Sequence, residues 1–285
     1  MSKVILVIGA AGGVGSSVVR EFLGKGYQVV GTVLNSQEAE SVRAQSPDIK
    51  DIIEMDLGDA TSVADTLQTY LQSMDGGLYG VVVCAAISPY GPVETSSIDK
   101  LRRTLEINTL SGVAIYQATI AHLRQTKGRL IYISSMAGRV GMAFLGWYTT
   151  SKFALEGAVE VMRCEAAAWG VKVILIEPGG IQTSMVSNQI ADLDRDIAAL
   201  EGNERELYID LYKGFQAMAR DSYQKGSLKP QAVGERVWQV FDTPRPWARY
   251  KIGTDSKAIC LLSWLLPRHW IEALLAKAMQ SAAKK

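Results

Sequence analysis

Histidine and cysteine are scarce in this chain, and each scarcity removes a class of chemistry. Among 285 residues there are two histidines, His122 and His269, and three cysteines, Cys84, Cys164 and Cys260. The cysteines are far apart, with no Cys-x-x-Cys pair and no Cys/His cluster, so neither a structural zinc site nor a disulfide framework is expected. Neither histidine stands in a setting that would serve a Ser-His-Asp hydrolase, and both read as helix-surface residues. An excess of one charge is missing too: 30 basic residues against 29 acidic ones leave a net charge of +1, which gives no electrostatic footprint for nucleic acid. Long hydrophobic runs are lacking as well. The opening "MSKVILVIGAAGGVG" is too short in its apolar part for a signal peptide or a bilayer span and reads as a buried first strand, so a soluble, cytoplasmic protein without an amino-terminal anchor is expected.

What remains is an ordinary globular composition, 48% hydrophobic and 21% charged. Short β-branched runs at 3–8, 28–33, 51–55, 79–84, 129–134 and 172–177 alternate with amphipathic stretches at 14–25, 37–45, 61–73, 98–126 and 148–169. Near-continuous apolar strands separated by helices predict a parallel sheet covered on both faces: a doubly wound α/β Rossmann fold in a single domain, residues 1–285. The polar, partly helical stretch 184–230 follows the sixth strand. Insertions at carboxyl ends of such strands face the ligand crevice, so it reads as a substrate lid, with surface decoration as the alternative. The apolar extension 255–285 contains "AICLLSWLLPRHWIEALLAKAM", broken by Pro267. Three readings stay open for it: a pocket flap, an oligomer contact and an interfacial membrane helix.

Directly after the first strand comes Gly9-Ala10-Ala11-Gly12-Gly13-Val14-Gly15, opening into a helix. Glycines there permit a tight turn and close approach of the backbone to a pyrophosphate, which the helix N-terminus favours electrostatically. No lysine follows them as in an ATP-binding G-x-x-x-x-G-K-[ST] loop. A cation near this loop or after the second strand would select a 2′-phosphate, and an acid would meet a free ribose hydroxyl; Val33 and Leu34 stand where those charges belong. Without a nearby cation the reading leans to NAD over NADP.

Tyr148 precedes Lys152 by four residues in "FLGWYTTSKFAL", one helical turn, so both side chains leave the same face. A phenol titrates near ~10, too high for a base at neutral pH, and an ammonium beside it favours the phenolate. Ser135 in "IYISSMAG" lies thirteen residues before Tyr148, and Asn108 stands in "LEINTLSG". The G-x-x-x-G-x-G spacing of Gly9, Gly13 and Gly15, with Asn108, Ser135, Tyr148 and Lys152 in this order, resembles the short-chain dehydrogenase/reductase family. The resemblance implies an NAD(P)-dependent oxidoreductase in which Tyr148 is the general acid/base and Ser135 binds the substrate oxygen. Lys152 also holds the nicotinamide ribose, and Asn108 organises a relaying water. Cofactor contacts are implied for Gly9, Gly12, Gly13, Val14, Gly15, Leu34, Asp56, Leu57, Ala85, Tyr148, Lys152, Pro178, Gly179, Ile181 and Thr183, with no metal. Asp56, in "MDLGD", has a second reading as a helix cap. Two departures stand out: Ile8 replaces the family's threonine, and Val83-Cys84-Ala85-Ala86 replaces Asn-Asn-Ala-Gly, for which altered local bonding is expected rather than lost chemistry.

The finer texture of "GLYGVVVCAAIS", "GVKVILIEPGGIQTSM" and "ARYKIGTDSKAICLLSWLLP" is similar to the retinol dehydrogenase and 17β-hydroxysteroid dehydrogenase branch. That implies an alcohol or ketone on a bulky apolar molecule, with a homo-oligomer formed through 98–126 and 148–169. Phe144, Leu145 and Trp147 fit an apolar pocket, and core packing equally. The alternatives are a reductase of acyl-thioester or polyketide ketones and a non-catalytic dinucleotide sensor.

Overall fold

The first strand, β1 (Lys3–Ile8), shows why an unbroken apolar run was needed. Val4, Leu6 and Ile8 enter one buried cluster, while Ile5 and Val7 enter a second on the opposite face. A strand with helices on both sides has no solvent face to alternate toward. The computed structural model describes residues 3–284; of the range 1–285 read as one domain, residues 1, 2 and 285 lie outside the described residues.

Around β1 run β2 (Gln28–Val33), β3 (Asp51–Glu54), β4 (Gly77–Val83), β5 (Arg129–Ile133), β6 (Lys172–Pro178) and β7 (Arg249–Ile252). Their order is β3-β2-β1-β4-β5-β6-β7, parallel at every pairing. The order reverses between β1 and β4, so a crevice opens at the carboxyl ends of those strands. Helices α1 (Gly13–Gly24) and α2 (Ser36–Gln45) follow β1 and β2, and α3 (Ala60–Ser73) follows β3. Then come α4 (Ile98–Leu105), α5 (Ser111–Thr126) and α6 (Gly146–Ala166).

Two elements differ from the sequence reading. The seventh strand was not expected, because "RYKI" is short and carries two charges; it is an edge strand whose Arg249 finds carboxylates beneath it. The single helix expected over 98–126 is divided by a π turn, Glu106–Leu110, which contains Asn108. An extra residue in one turn re-aims side chains, and such turns recur at functional sites.

The stretch 184–230 is mainly two helices, α7 (Ser184–Ala199) and α8 (Gly202–Asp221). After α9 (Pro230–Asp242) and β7 the chain ends in α10 (Thr254–Leu265) and α11 (Arg268–Ala282). Leu193, Leu200, Tyr212, Phe215 and Met279 form a third, smaller apolar cluster with Phe144. A Cβ at Gly214 would overlap the Met279 carbonyl oxygen, so α11 lies backbone to backbone on α8. Among the described residues, no helix is long and apolar enough to cross a membrane.

Candidate active site

Gly9 adopts φ +82°, and a side chain there would come within 2.7 Å of the Ala85 Cβ. A Cβ at Gly15 would overlap the Gly9 carbonyl oxygen, so the turn closes only when both positions are glycine. Gly13 packs against Thr183, and Gly12 is exposed, with the Gly9 carbonyl oxygen at ordinary contact distance from a side chain placed there. The first turn of α1 has no side-chain cap, which leaves its amides directed at the crevice. That is the cradle an anionic pyrophosphate requires, and the chain fits a dinucleotide on this observation. Val14 stands at the junction with the larger cavity.

Thr32 Oγ1 accepts from Gly9 N at 3.1 Å, bracing the loop beside the buried Ile8. Cys84 and Ala85 both donate their amides to the Ile8 carbonyl, at 3.0 and 3.2 Å. Leu34 is 53% exposed at the end of β2. A carboxylate reaches this place after all: Glu38 of α2 folds back and accepts from Leu34 N at 2.8 Å. Reading position by position along β2 missed it, because the acid comes from the next helix. Asp56 is exposed and accepts from Gly58 N at 2.8 Å, with the buried Leu57 beside it. The cap of α3 is Asp59, which accepts from Thr61 and Ser62, so the capping alternative for Asp56 falls away.

Across the crevice, Ser135, Tyr148 and Lys152 line one cavity of about 400 Å³. Ser135 stands two residues beyond β5 in extended conformation, where its hydroxyl accepts from Ala137 N and also meets the Tyr148 phenol. Lys152 is 2% exposed; its Nζ donates to the Ile133 carbonyl at 3.0 Å and lies 5.7 Å from the centre of the Tyr148 ring. Burial pushes the Lys152 ammonium down to about 8, against the pull of the Glu156 carboxylate. The Tyr148 phenol departs from expectation: burial raises it above its ordinary value, and the Ser135 hydrogen bond opposes this only in part. Desolvation outweighs proximity of the lysine in the chain by itself.

Asn108 is buried, and its amide is fully committed. Oδ1 accepts from Ile87 N at 2.8 Å, while Nδ2 donates to Ile87 O at 2.8 Å and Ser151 Oγ at 2.9 Å. The π turn thereby clamps the segment after β4 to α6.

Pro178, Gly179, Ile181 and Thr183 line the same cavity. Their loop is fixed by groups that the motif did not reveal. Gly179 N donates to Ile252 O at 3.0 Å, and Gly180 N donates to Asp255 Oδ2 at 2.8 Å. The remaining wall is apolar, with Met136 and Met142 after β5, Met185 of α7, Met218 of α8, and Leu275 and Met279 of α11. Leu145 faces this cavity. Phe144, at φ +70°, turns away to meet Tyr212 edge-on at 4.6 Å, and Trp147 borders a separate small hollow by Tyr90. Nothing in local spacing announced the individual methionines, which arrive by long-range packing, whereas the arrival of α11 matches the flap reading of 255–285.

Comparison with known proteins agrees with this geometry. The family model for short chain dehydrogenase matches residues 3–194. The NADPH-dependent 3-dehydrocapnine reductase of Ornithobacterium rhinotracheale is 27% identical, covering 98% of this chain and 98% of that one. Human retinol dehydrogenase 16 is also 27% identical, over 99% of this chain and 90% of its own length. Rat 17-beta-hydroxysteroid dehydrogenase type 6 is 24% identical over 99% and 90%. Among solved structures, a short-chain dehydrogenase from Streptomyces avermitilis superposes with a TM-score of 0.76 at 22% identity, covering 97% of this chain and 95% of that one. One from Burkholderia cenocepacia in complex with NADP gives 0.73 at 19% identity, covering 96% and 97%.

Proposed function

The chain belongs to the short chain dehydrogenase family, on the retinol dehydrogenase and 17β-hydroxysteroid dehydrogenase branch, and is an NAD(P)-dependent oxidoreductase acting on CH–OH groups; from that premise we propose that it interconverts an alcohol and a ketone or aldehyde on a bulky apolar substrate. The observation that carries the reading is the group of half-buried Ser135 and Tyr148 with buried Lys152 on the wall of a methionine-lined cavity. Lys152 and Asp255 are the charged side chains among the described lining residues, and both are bound to backbone, so no free charge awaits an anionic substrate group.

In this mechanism Tyr148 exchanges its phenolic proton with the substrate oxygen, and Ser135 donates a hydrogen bond to the same oxygen as charge develops there. The nicotinamide, when bound, supplies or accepts the hydride. Lys152 stabilises the deprotonated phenol through its charge. Because the Asn108 amide is committed, a relaying water belongs to the backbone of the π turn instead. Helices α7, α8 and α11 act as the substrate cover, which favours the flap reading of the carboxyl-terminal stretch. Exposed Leu110 in the π turn, Phe153 and Val161 on α6 and Trp169 just after it support a homo-oligomer.

The test is a panel of retinoid, steroid, aliphatic and β-ketoacyl thioester substrates followed by nicotinamide absorbance with both cofactors. Turnover of apolar alcohols or ketones is expected; turnover confined to the thioesters would overturn the reading in favour of an acyl-ketone reductase.

For the cofactor we infer NAD. The dehydrocapnine reductase is named as NADPH-dependent, yet here Glu38 brings a carboxylate to the end of β2 and would face a 2′-phosphate. NADH is expected to bind at least about tenfold more tightly than NADPH, a difference of ~1.4 kcal/mol, and Glu38→Gln should narrow that gap. Equal or tighter binding of NADPH by the unaltered protein, in a fluorescence titration, would reverse the assignment.

A further inference from the structure

The most heavily charged buried cluster lies one turn further along α6. Glu156 follows Lys152 by four residues and is 3% exposed. Its Oε1 accepts from Ser134 Oγ at 2.7 Å, while Oε2 is engaged by Arg249 Nη1 and approached by Arg139 Nη1 at 3.8 Å. Arg249 Nη1 also binds Glu177 Oε1, and its Nη2 binds Glu160 at 2.5 Å. Glu177 is fully buried, and its Oε2 has no hydrogen-bond partner. Stability alone does not call for such a cluster, since desolvation of buried ion pairs commonly offsets their attraction relative to apolar packing of the same volume.

Its position gives another reason. Ser134 adjoins Ser135, Glu177 adjoins Pro178, and Lys152 is one helical turn before Glu156. Arg249 therefore joins three segments that carry the site, from a strand beyond the part matched by the family. The groups facing Lys152 are Tyr148 and Glu156 of its own helix, Cys84 after β4 and the Ile133 carbonyl of β5. Burial pushes the Cys84 thiol up to about 12, so it is neutral. The groups facing Glu156 are Glu160 on its own helix, Glu177 of β6, Arg249 of β7, and Arg139 and Ser134 around the end of β5. Burial and Glu177 both disfavour the Glu156 carboxylate, and Arg249 and Ser134 oppose them.

We propose that Glu156 is a positioning residue for the reaction: its carboxylate keeps Lys152 an ammonium and holds Ser134, and through it Ser135, while Arg249 keeps Glu156 ionised. The role rests on Lys152 belonging to the active site as read above. Removing the negative charge takes away an influence that raises the lysine, so Lys152 must lose its proton at lower pH.

Glu156→Gln, nearly isosteric, tests this in the full-length protein. Lysine side-chain NMR, assigned with Lys152→Arg, reads the Lys152 titration directly. Its midpoint is expected to fall by about one unit on loss of the facing charge. The high-pH limb of kcat/KM for ketone reduction should move down with it, so activity is depressed above pH 7 and approaches the unaltered value near pH 6. Arg249→Gln should shift both in the same direction, and Arg249→Lys should restore them; these variants also decide the matter if Glu156→Gln fails to fold. An unmoved Lys152 midpoint in a folded variant, or a loss of activity uniform in pH, overturns the proposal. A shifted midpoint with an unchanged rate profile overturns instead the placement of Lys152 in the reaction, and the positioning role with it.

Discussion

Tyr148→Phe is expected to lower kcat by roughly 10²- to 10⁴-fold with NADH affinity nearly unchanged. The substitution removes one oxygen and keeps the ring, so packing of the amino-terminal turn of α6 is retained and the glycine loop across the crevice is untouched. What disappears is the proton donor at the substrate oxygen, with the Ser135 partner that orients it. Residual activity would come from Ser135 and the positioned cofactor alone. The comparison needs kcat on an apolar ketone and NADH binding by fluorescence on the same preparation. A variant within about fivefold of the unaltered kcat would remove Tyr148 from the proposed role, since positioned acid/base groups contribute far more than that.

Gly15→Ala should produce the second large effect, on cofactor binding and on stability together. The added methyl would overlap the Gly9 carbonyl oxygen and lie 2.9 Å from the Gly9 carbonyl carbon, both backbone atoms that cannot rotate aside. The start of α1 must move off the loop, at a cost of about 1–3 kcal/mol, typical of overpacking. The amides that receive the pyrophosphate move with it, so NADH affinity should fall by at least about tenfold. Gly12→Ala is the control: its new methyl meets nothing nearer than the Gly9 oxygen at 3.5 Å. Thermal unfolding with and without NADH separates the two contributions. Unaltered NADH affinity in Gly15→Ala would mean that the dinucleotide does not lie on this turn.

The five inner strands were legible because each is buried on both faces, which imposes a continuous apolar run, and the half-buried edge strand β3 keeps a short one in Ile52 and Ile53. The edge strand Arg249–Ile252 was not, since its arginine is satisfied by glutamates from α6 and β6 that no window of sequence brings together. The same division holds at the site. One helical turn brings Tyr148 and Lys152 to one face and Ser135 stands just past a strand, but it was their order along the chain, as a family resemblance, that singled them out. Glu38 reaches the crevice through tertiary packing and left no local signal; Asp255 and Met279 belong to the stretch read as a flap, but their individual contacts were not legible. The phenol of Tyr148 teaches a related lesson, because one turn of helix placed a cation nearby, and only the folded chain showed burial prevailing over it.

The cavity wall draws on two parts of the chain. Ser135, Tyr148, Lys152 and the loop at Pro178 fall within residues 3–194, the part shared with the family, while Phe215, Met218, Leu275 and Met279 come from beyond it. The proposed catalytic group thus lies wholly in the earlier part, while the apolar wall is shared, with Met136, Met142, Leu145 and Met185 from the earlier part facing the later residues. Substitutions confined to the later part would reshape one side of the wall and leave Ser135, Tyr148 and Lys152 in place, which frees the shape of the pocket from its polar group. A laboratory library confined to α8 and α11 would sample that same freedom.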